Sequence, residues 1–478
     1  MGVKKNILYS SILTTANYIF PLLVYPYVSR VLGVTNIGIC NFIDSIIHYF
    51  ILFSMMGVTI MGTREIAASK ANSLSLDSKF SSIIALNGIT TLLALVALII
   101  ATIFVPQLWE NKQMMIYGGV KLISNFMLIE WFYKGLEDFK YITMRTIGVK
   151  CLFVLSVFIF VKDSDDYSIY YLLTCLMVSG NAIINFIHSG KFAKFKFKLI
   201  SFGSVVKPFF TLGSYMLITS MCTTFNVAYL GFATNETQVG YYTTATKLYS
   251  ILLALFTGVT SVLMPRMSAL LANGQTEDFK NLMKKSTDIL FTFSIPVIFF
   301  TIIFAPQIIL LISGPGYERA IIPMRIVMPM MLIIGLEQII VIQGLMPLRR
   351  DKVVMKNSVV GATLSLLLNI FLVTKLQSVG SSIVWVCTET LILILSQIAL
   401  HKCIGIKFPL KRLLKNIVVY IPMVIVLFII MDQVHTSYWI MLLAAGAFAA
   451  IYFISVQISI IKNSLVLKYI TPLLSKIK

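Results

Sequence analysis

Apolar stretches of roughly 18 to 25 residues alternate along the whole chain with short connectors, and lysines and arginines crowd every second connector. A bilayer hydrocarbon core of roughly 30 Å takes about 20 apolar residues per helix, because a helix satisfies its own backbone hydrogen bonds in lipid. The rhythm predicts an all-α polytopic membrane protein. Composition excludes a soluble globule: 58% hydrophobic residues, 12% charged residues and a mean hydropathy of +0.90 leave too little charge to cover a water-exposed surface. The longest polar connectors, 189–207 and 265–285, are too short to fold alone, since a stable core needs about 40 residues or more.

About 14 spans can be counted, running from 7–29 and 38–62 through 145–161 to 417–431 and 438–461. With the N-terminus inside, 31 of the 39 basic residues fall in cytoplasmic connectors, Lys134, Lys140, Arg145 and Lys150 among them. Asp163, Asp165 and Asp166 lie opposite. This bias places both termini in the cytoplasm. Residues 1–5 and the first span, with Pro21 and Pro26, lack a small-residue cleavage site, so that span is expected to be retained. The net charge of +20 would also suit nucleic acid, but the basic residues sit at helix ends. Membrane lipids are therefore the expected partners, and nucleic acid is not. The six cysteines and four histidines have no metal-ligand spacing, so no metal is expected.

Ordered matches divide the chain further. Leu32-Gly33 with Thr35-Asn36 returns as Leu230-Gly231 with Thr234-Asn235. Arg64 corresponds to Arg266, Phe104-Val105-Pro106-Gln107 to Phe304-Ala305-Pro306-Gln307, and Gly135 to Gly344, at offsets of 202, 200 and 209. Such agreement in order implies a six-span unit used twice. An even number of spans gives both copies one orientation, as a parallel pseudo-two-fold repeat around a central cavity suited to alternating access. The expected division is an N-terminal six-helix lobe at 1–190, a basic interfacial linker at 191–207 and a C-terminal six-helix lobe at 208–402. Two extra helices and a cytoplasmic tail occupy 403–478. The linker alternates lysine and phenylalanine from Lys191 to Lys198, a pattern suited to an anionic lipid surface.

The words Ser29-Arg30-Val31-Leu32-Gly33 and Gly62-Thr63-Arg64-Glu65-Ile66-Ala67, with the duplicated plan, resemble a known family. Over essentially its whole length the chain is similar to polysaccharide flippases of the multidrug/oligosaccharidyl-lipid/polysaccharide exporter superfamily. These are the flippases of O-antigen and capsule repeat units. The resemblance implies movement of an undecaprenyl-diphosphate-linked oligosaccharide from the inner to the outer leaflet of a bacterial cytoplasmic membrane. Polymerase and glycosyltransferases of the same pathway are implied as partners.

A lipid diphosphate crossing a bilayer calls for cations in a hydrated cavity and polar groups for sugar hydroxyls. The substrate-binding candidates are Arg30, Arg64, Lys121, Lys247, Arg266 and Arg325, with Thr15, Asn17, Thr223 and Asn226 on two unusually polar spans. Arg64 and Arg266 either greet the diphosphate from both lobes or snorkel to headgroups as anchors. Lys247 lies several residues inside its span beside Thr243, Thr244 and Thr246, where snorkelling is less natural. The polar faces either line the sugar path or serve helix packing. Asp44 and His48, four residues apart on one helix face, either bind a coupling ion or simply hydrogen-bond each other. Glu130, Glu337 and Glu389 sit within spans and are expected to turn inward, paired with a base or protonated. No cofactor is expected beyond a coupling H⁺ or Na⁺, and no GxxxxGK[ST] loop for ATP is present.

Two other functions compete. A multidrug or cation antiporter of the same superfamily would favour acidic over basic cavity residues. A membrane enzyme such as a polymerase or ligase would carry catalytic residues on a large external loop, and no external connector exceeds roughly a dozen residues. No catalytic residue is therefore assigned.

Overall fold

The computed structural model describes residues 3–203, 205–220, 224–433 and 437–461, which form helices joined by short turns. The first helices are α1 (Val3–Met55), α2 (Val58–Ser69), α3 (Ser73–Phe104), α4 (Pro106–Glu110) and α5 (Lys112–Leu128). Next come α6 (Glu130–Leu136), α7 (Phe139–Phe160), α8 (Tyr167–Ser189), α9 (Val206–Ser220), α10 (Thr224–Ala233) and α11 (Glu236–Ala272). They continue as α12 (Thr276–Ile303), α13 (Ala305–Ser313), α14 (Ile321–Val327) and α15 (Met330–Glu337), the last running on into a π-helical stretch, Gln338–Leu345. The final four are α16 (Asp351–Leu368), α17 (Thr374–Ile404), α18 (Leu410–Gln433) and α19 (Tyr438–Val456).

The chain is a multi-pass membrane protein, but its spans are not 14 separate rods. Among the described residues nine helical stretches are long and apolar enough to cross a bilayer, or up to ten if α9 and α10, bent by 55°, form one span. Two of them, Leu8–Ser69 with 62 residues and Asp351–Ile404 with 54, are each long enough for two crossings. The sequence counts them as pairs because it assigns a polar connector to each; the backbone instead bends within continuous helix, at Gly33 (φ 75°) and Gln377 (φ 51°).

Packing divides the chain into two compact units, Met1–Lys247 with Met355–Thr388, and Leu248–Val354 with Glu389–Lys478. These boundaries follow contacts, whereas 1–190, 191–207, 208–402 and 403–478 follow the internal similarity.

In the first unit α3 shows how the sequence suits lipid. Its Asn72 cap accepts from the backbone N–H of Leu74 (3.0 Å) and Ser75 (3.3 Å). The helix ends at Val105, because the following proline disfavours helical geometry there. Leu92, Ile99 and Ile103 are exposed, while Ser81, Asn87 and Thr91 are buried. Lipid solvates the apolar face and leaves the polar groups to bond internally: Ser54 and Thr91 hydroxyls lie 2.6 Å apart, and Thr90 donates to the Ser54 carbonyl. The same logic pins the linker to α3. Asp77 accepts from the Lys194 backbone N–H and pairs with the Lys196 ammonium at 2.7 Å, while Ser81 and Ser82 accept from the backbones of Lys196 and Ser201. Phe197 stays 80% exposed, as an interfacial segment requires.

Pro106 and Pro306 both fall in the first turn of a short helix, α4 and α13, directly after a long one. Proline suits this place because its missing N–H would be unsatisfied anyway. In the second unit Phe279, Phe291, Phe304, Tyr420 and Leu427 are fully buried in one core that joins α12 to α18 and α19.

Two glycines set the approach of α1 to α11. A Cβ on Gly38 would lie 1.7 Å from the Glu236 carbonyl oxygen, and one on Gly240 would lie 2.1 Å from that of Val34. Side chains at either place must push the helices apart. Gly38→Val and Gly240→Val are each expected to cost about 1–3 kcal/mol or more, read as a lower melting temperature in detergent. Gly148→Val, where a Cβ meets nothing within 4 Å, is the matched control.

Candidate functional site

The first unit contains a cavity of about 340 Å³, and the bend in α1 builds it. Gly33 has φ 75° and ψ 170°, a backbone that only glycine adopts without strain. The turn brings both halves of α1 to the cavity, Phe20, Pro21, Val24 and Tyr25 from one, and Ile37, Cys40, Asn41 and Asp44 from the other. Lys121 on α5, Lys150 on α7, Tyr170, Tyr171 and Thr174 on α8, and Lys247 on α11 complete the lining.

Three ammonium groups therefore face one carboxylate. Lys121 donates to Asp44 in an ion pair, and Tyr171 donates to the same oxygen at 3.4 Å. Lys247 stands over the Tyr25 ring, 4.5 Å from its centre, a cation–π contact. Tyr25 is itself fixed by a 2.6 Å hydrogen bond with Thr244, one turn before Lys247 on α11. Lys150 donates to Asn17 at 2.5 Å and lies 5.9 Å from the Phe20 ring centre. Asn41 donates its amide to the Ile37 carbonyl, leaving its oxygen as an acceptor for the cavity. Chemically this is an excess of positive charge among aromatic faces and hydroxyls, suited to an anion that also carries sugar.

Of the sequence candidates, Lys121, Lys247 and Asp44 come together here, and Asn17 touches the cavity through Lys150. His48 is exposed, and among the described residues it forms no hydrogen bond with Asp44, whose partners come from α5 and α8. The helix period puts both on one face, but the carboxylate finds a stronger partner across the helix interface. Arg30, Arg64 and Thr15 are exposed and do not line the cavity. Asn226 is fully buried and accepts from Asn369 at 2.7 Å, a polar lock within the first unit. Thr223 lies outside the described residues. Glu130 pairs with Arg145 at 3.1 Å and with Lys134 at 3.4 Å, its side chain half-buried.

The remaining candidates belong to the second unit. Arg266 is exposed, and Arg325 is exposed and donates to the Ile302 carbonyl at 3.1 Å. Glu337 and Glu389 are neighbouring carboxyl groups within the second unit.

Lys150 is the cation the sequence misplaces. Its span is expected to start at 145, which puts Lys150 at an inner end, but α7 starts at Phe139, where Asp138 caps it by accepting from the Tyr141 N–H at 3.3 Å. Lys150 is thus mid-helix, and the buried Arg145 belongs to the interior, donating to Glu130, Thr146 and the Asn181 carbonyl. The Asp138 cap is the signal that finds both. Tyr25, Tyr170 and Tyr171 carry no sequence signal in a chain with 21 tyrosines.

A protein-family model described as "Polysaccharide biosynthesis protein" matches residues 3–271. The "Putative O-antigen transporter" of Escherichia coli (strain K12) is 26% identical over 396 residues, covering 82% of this chain and 95% of that protein. Among solved structures, a lipid II flippase MurJ in an inward closed conformation matches with a TM-score of 0.77 at 16% identity, covering 95% of this chain and 100% of that one. An inward-facing multidrug resistance MATE family transporter of the MOP superfamily matches with a TM-score of 0.65 at 14% identity, covering 86% and 99%. The fold is that of these transporters.

Proposed function

As the chain belongs to the polysaccharide biosynthesis protein family, we propose that it is a flippase for undecaprenyl-diphosphate-linked oligosaccharide repeat units. It works by alternating access in the bacterial cytoplasmic membrane, with both termini in the cytoplasm and the two six-helix copies as its moving parts. The observation that carries this reading is the cavity in which Lys121, Lys150 and Lys247 outnumber Asp44. Ammonium groups in a place of low dielectric draw a diphosphate strongly, and Tyr25, Tyr170 and Tyr171 offer flat apolar faces and hydroxyls to sugar rings. The named transport role of the Escherichia coli relative supports it, as does the flippase fold. A cation antiporter on the same fold needs the opposite sign of lining, so the lysines favour the lipid diphosphate.

Protein action here is binding and release, with no catalytic residue. Transport is coupled through the neighbouring Glu337 and Glu389 carboxyl groups, which bind and release H⁺ or Na⁺. Glu337→Gln/Glu389→Gln is expected to retain cargo binding while transport loses its response to imposed pH and sodium gradients. Unchanged responses remove the pair from coupling. In the source bacterium, deleting the protein is expected to abolish surface glycan and pile up lipid-linked repeat units on the inner leaflet. Normal surface glycan in the deletion strain refutes the flippase reading.

A further inference from the structure

We propose that the second unit holds a binding site for the phosphate headgroup of an anionic membrane phospholipid, in a cavity framed by α12, α15, the end of α17 and the start of α18. The site is separate from the transport reading and rests on its own residues. The cavity measures about 200 Å³. Four cations line it: Lys280 and Lys284 from α12, Lys407 from the loop before α18, and Arg412 from its first turn. Its inner wall is apolar, with Met283, Leu336, Ile339 and Leu400 all nearly or wholly buried.

Charge is only half balanced there. Lys280 pairs with Glu277 at 2.9 Å and Arg412 with Asp288 at 3.2 Å. Lys284 and Lys407 have no ion pair among the described residues, and both are exposed. Lys280 and Lys284 also stand four residues apart on one helix, an unfavourable like-charge spacing that an anion between them relieves.

The loop that presents Lys407 is built. Gly405, at φ 73°, ends α17 and turns the chain back, its N–H donating to the His401 carbonyl at 2.8 Å. The Gln397 side chain then donates to the Ile406 carbonyl at 2.9 Å, holding the loop over the cavity. From the adjoining Pro409, the exposed residues Leu410, Leu414, Val418 and Ile421 make an apolar stripe down α18. An acyl chain attached to a phosphate in the cavity lies naturally along it. The volume admits a phosphate with part of its glycerol but not an oligosaccharide, so the occupant is a resident phospholipid rather than the cargo's head.

The test is native mass spectrometry of the full chain in detergent, titrated with phosphatidylglycerol and, separately, phosphatidylcholine. Wild type is expected to prefer phosphatidylglycerol. Lys284→Gln/Lys407→Gln is expected to bind it about 30-fold more weakly, and Lys407→Gln alone about 5-fold, from the strength of basic residues near anionic lipid. The single variant, at an exposed loop residue, keeps the test decisive if the double does not fold. Lys284→Arg/Lys407→Arg and Lys411→Gln, the latter outside the cavity, are expected to bind as wild type. Undiminished phosphatidylglycerol binding by the glutamine variants overturns the proposal, as does equal affinity for phosphatidylcholine. Displacement of phosphatidylglycerol from wild type by inorganic pyrophosphate alone overturns the assignment to a lipid.

Discussion

Lys247→Ala is expected to slow transport of a diphosphate-linked lipid by about 10- to 150-fold, the factor given by about 1.5–3 kcal/mol for one hydrogen bond to a charged group. Lys247, like Lys150, has no carboxylate ion pair among the described residues, and it is held over Tyr25 instead. Its charge is therefore free to meet the cargo without first breaking an ion pair. Folding should change little, because the cation–π contact contributes only about 0.5–2 kcal/mol. Lys247→Arg keeps the charge and a fork suited to phosphate, and should retain most of the rate. Transport in proteoliposomes beside a melting curve separates the two effects. An undiminished rate in Lys247→Ala removes this residue from cargo binding.

Lys121→Met is expected to damage both stability and transport, for different reasons. Losing one partner of a wholly buried ion pair costs about 3–5 kcal/mol. The Asp44 side chain is 43% exposed within the unit against 17% for Lys121, so partial hydration brings the expected cost to about 1–3 kcal/mol. Asp44→Asn/Lys121→Met removes the stranded carboxylate and should recover most of that loss. Transport should stay low in the double variant, because the proposed diphosphate cargo still lacks the Lys121 ammonium. A double-mutant cycle in melting temperature, with transport rates on the same four proteins, checks both parts. Recovery of transport along with stability makes the pair purely structural.

The chain yields its membrane character and polar interior from periodicity alone, because lipid imposes span length and charge bias on every helix. Lys247 and Lys121 are legible as ionisable groups inside apolar runs, where a structural role is the harder explanation. Partnerships are not legible. Asp44 is linked by the helix period to His48, yet its partner Lys121 is 77 residues away on another helix. Lys150 is hidden by a misplaced helix start, an error of six residues that moves a cation from an assumed headgroup region to the middle of a span. Gly33 stands inside a word that carries the family resemblance, but its physical task, folding α1 back so that both halves line one cavity, emerges only with its backbone angles.

The most direct measurement places purified protein in liposomes carrying a fluorescent undecaprenyl-diphosphate oligosaccharide on the inner leaflet and follows its arrival outside with a membrane-impermeant quencher. Wild type should render the inner pool accessible, and the Lys247→Ala protein should leave it protected over the same interval. Continued protection with wild type under imposed pH or sodium gradients, together with export of a soluble cationic drug, contradicts the lipid-diphosphate cavity and makes the chain an antiporter.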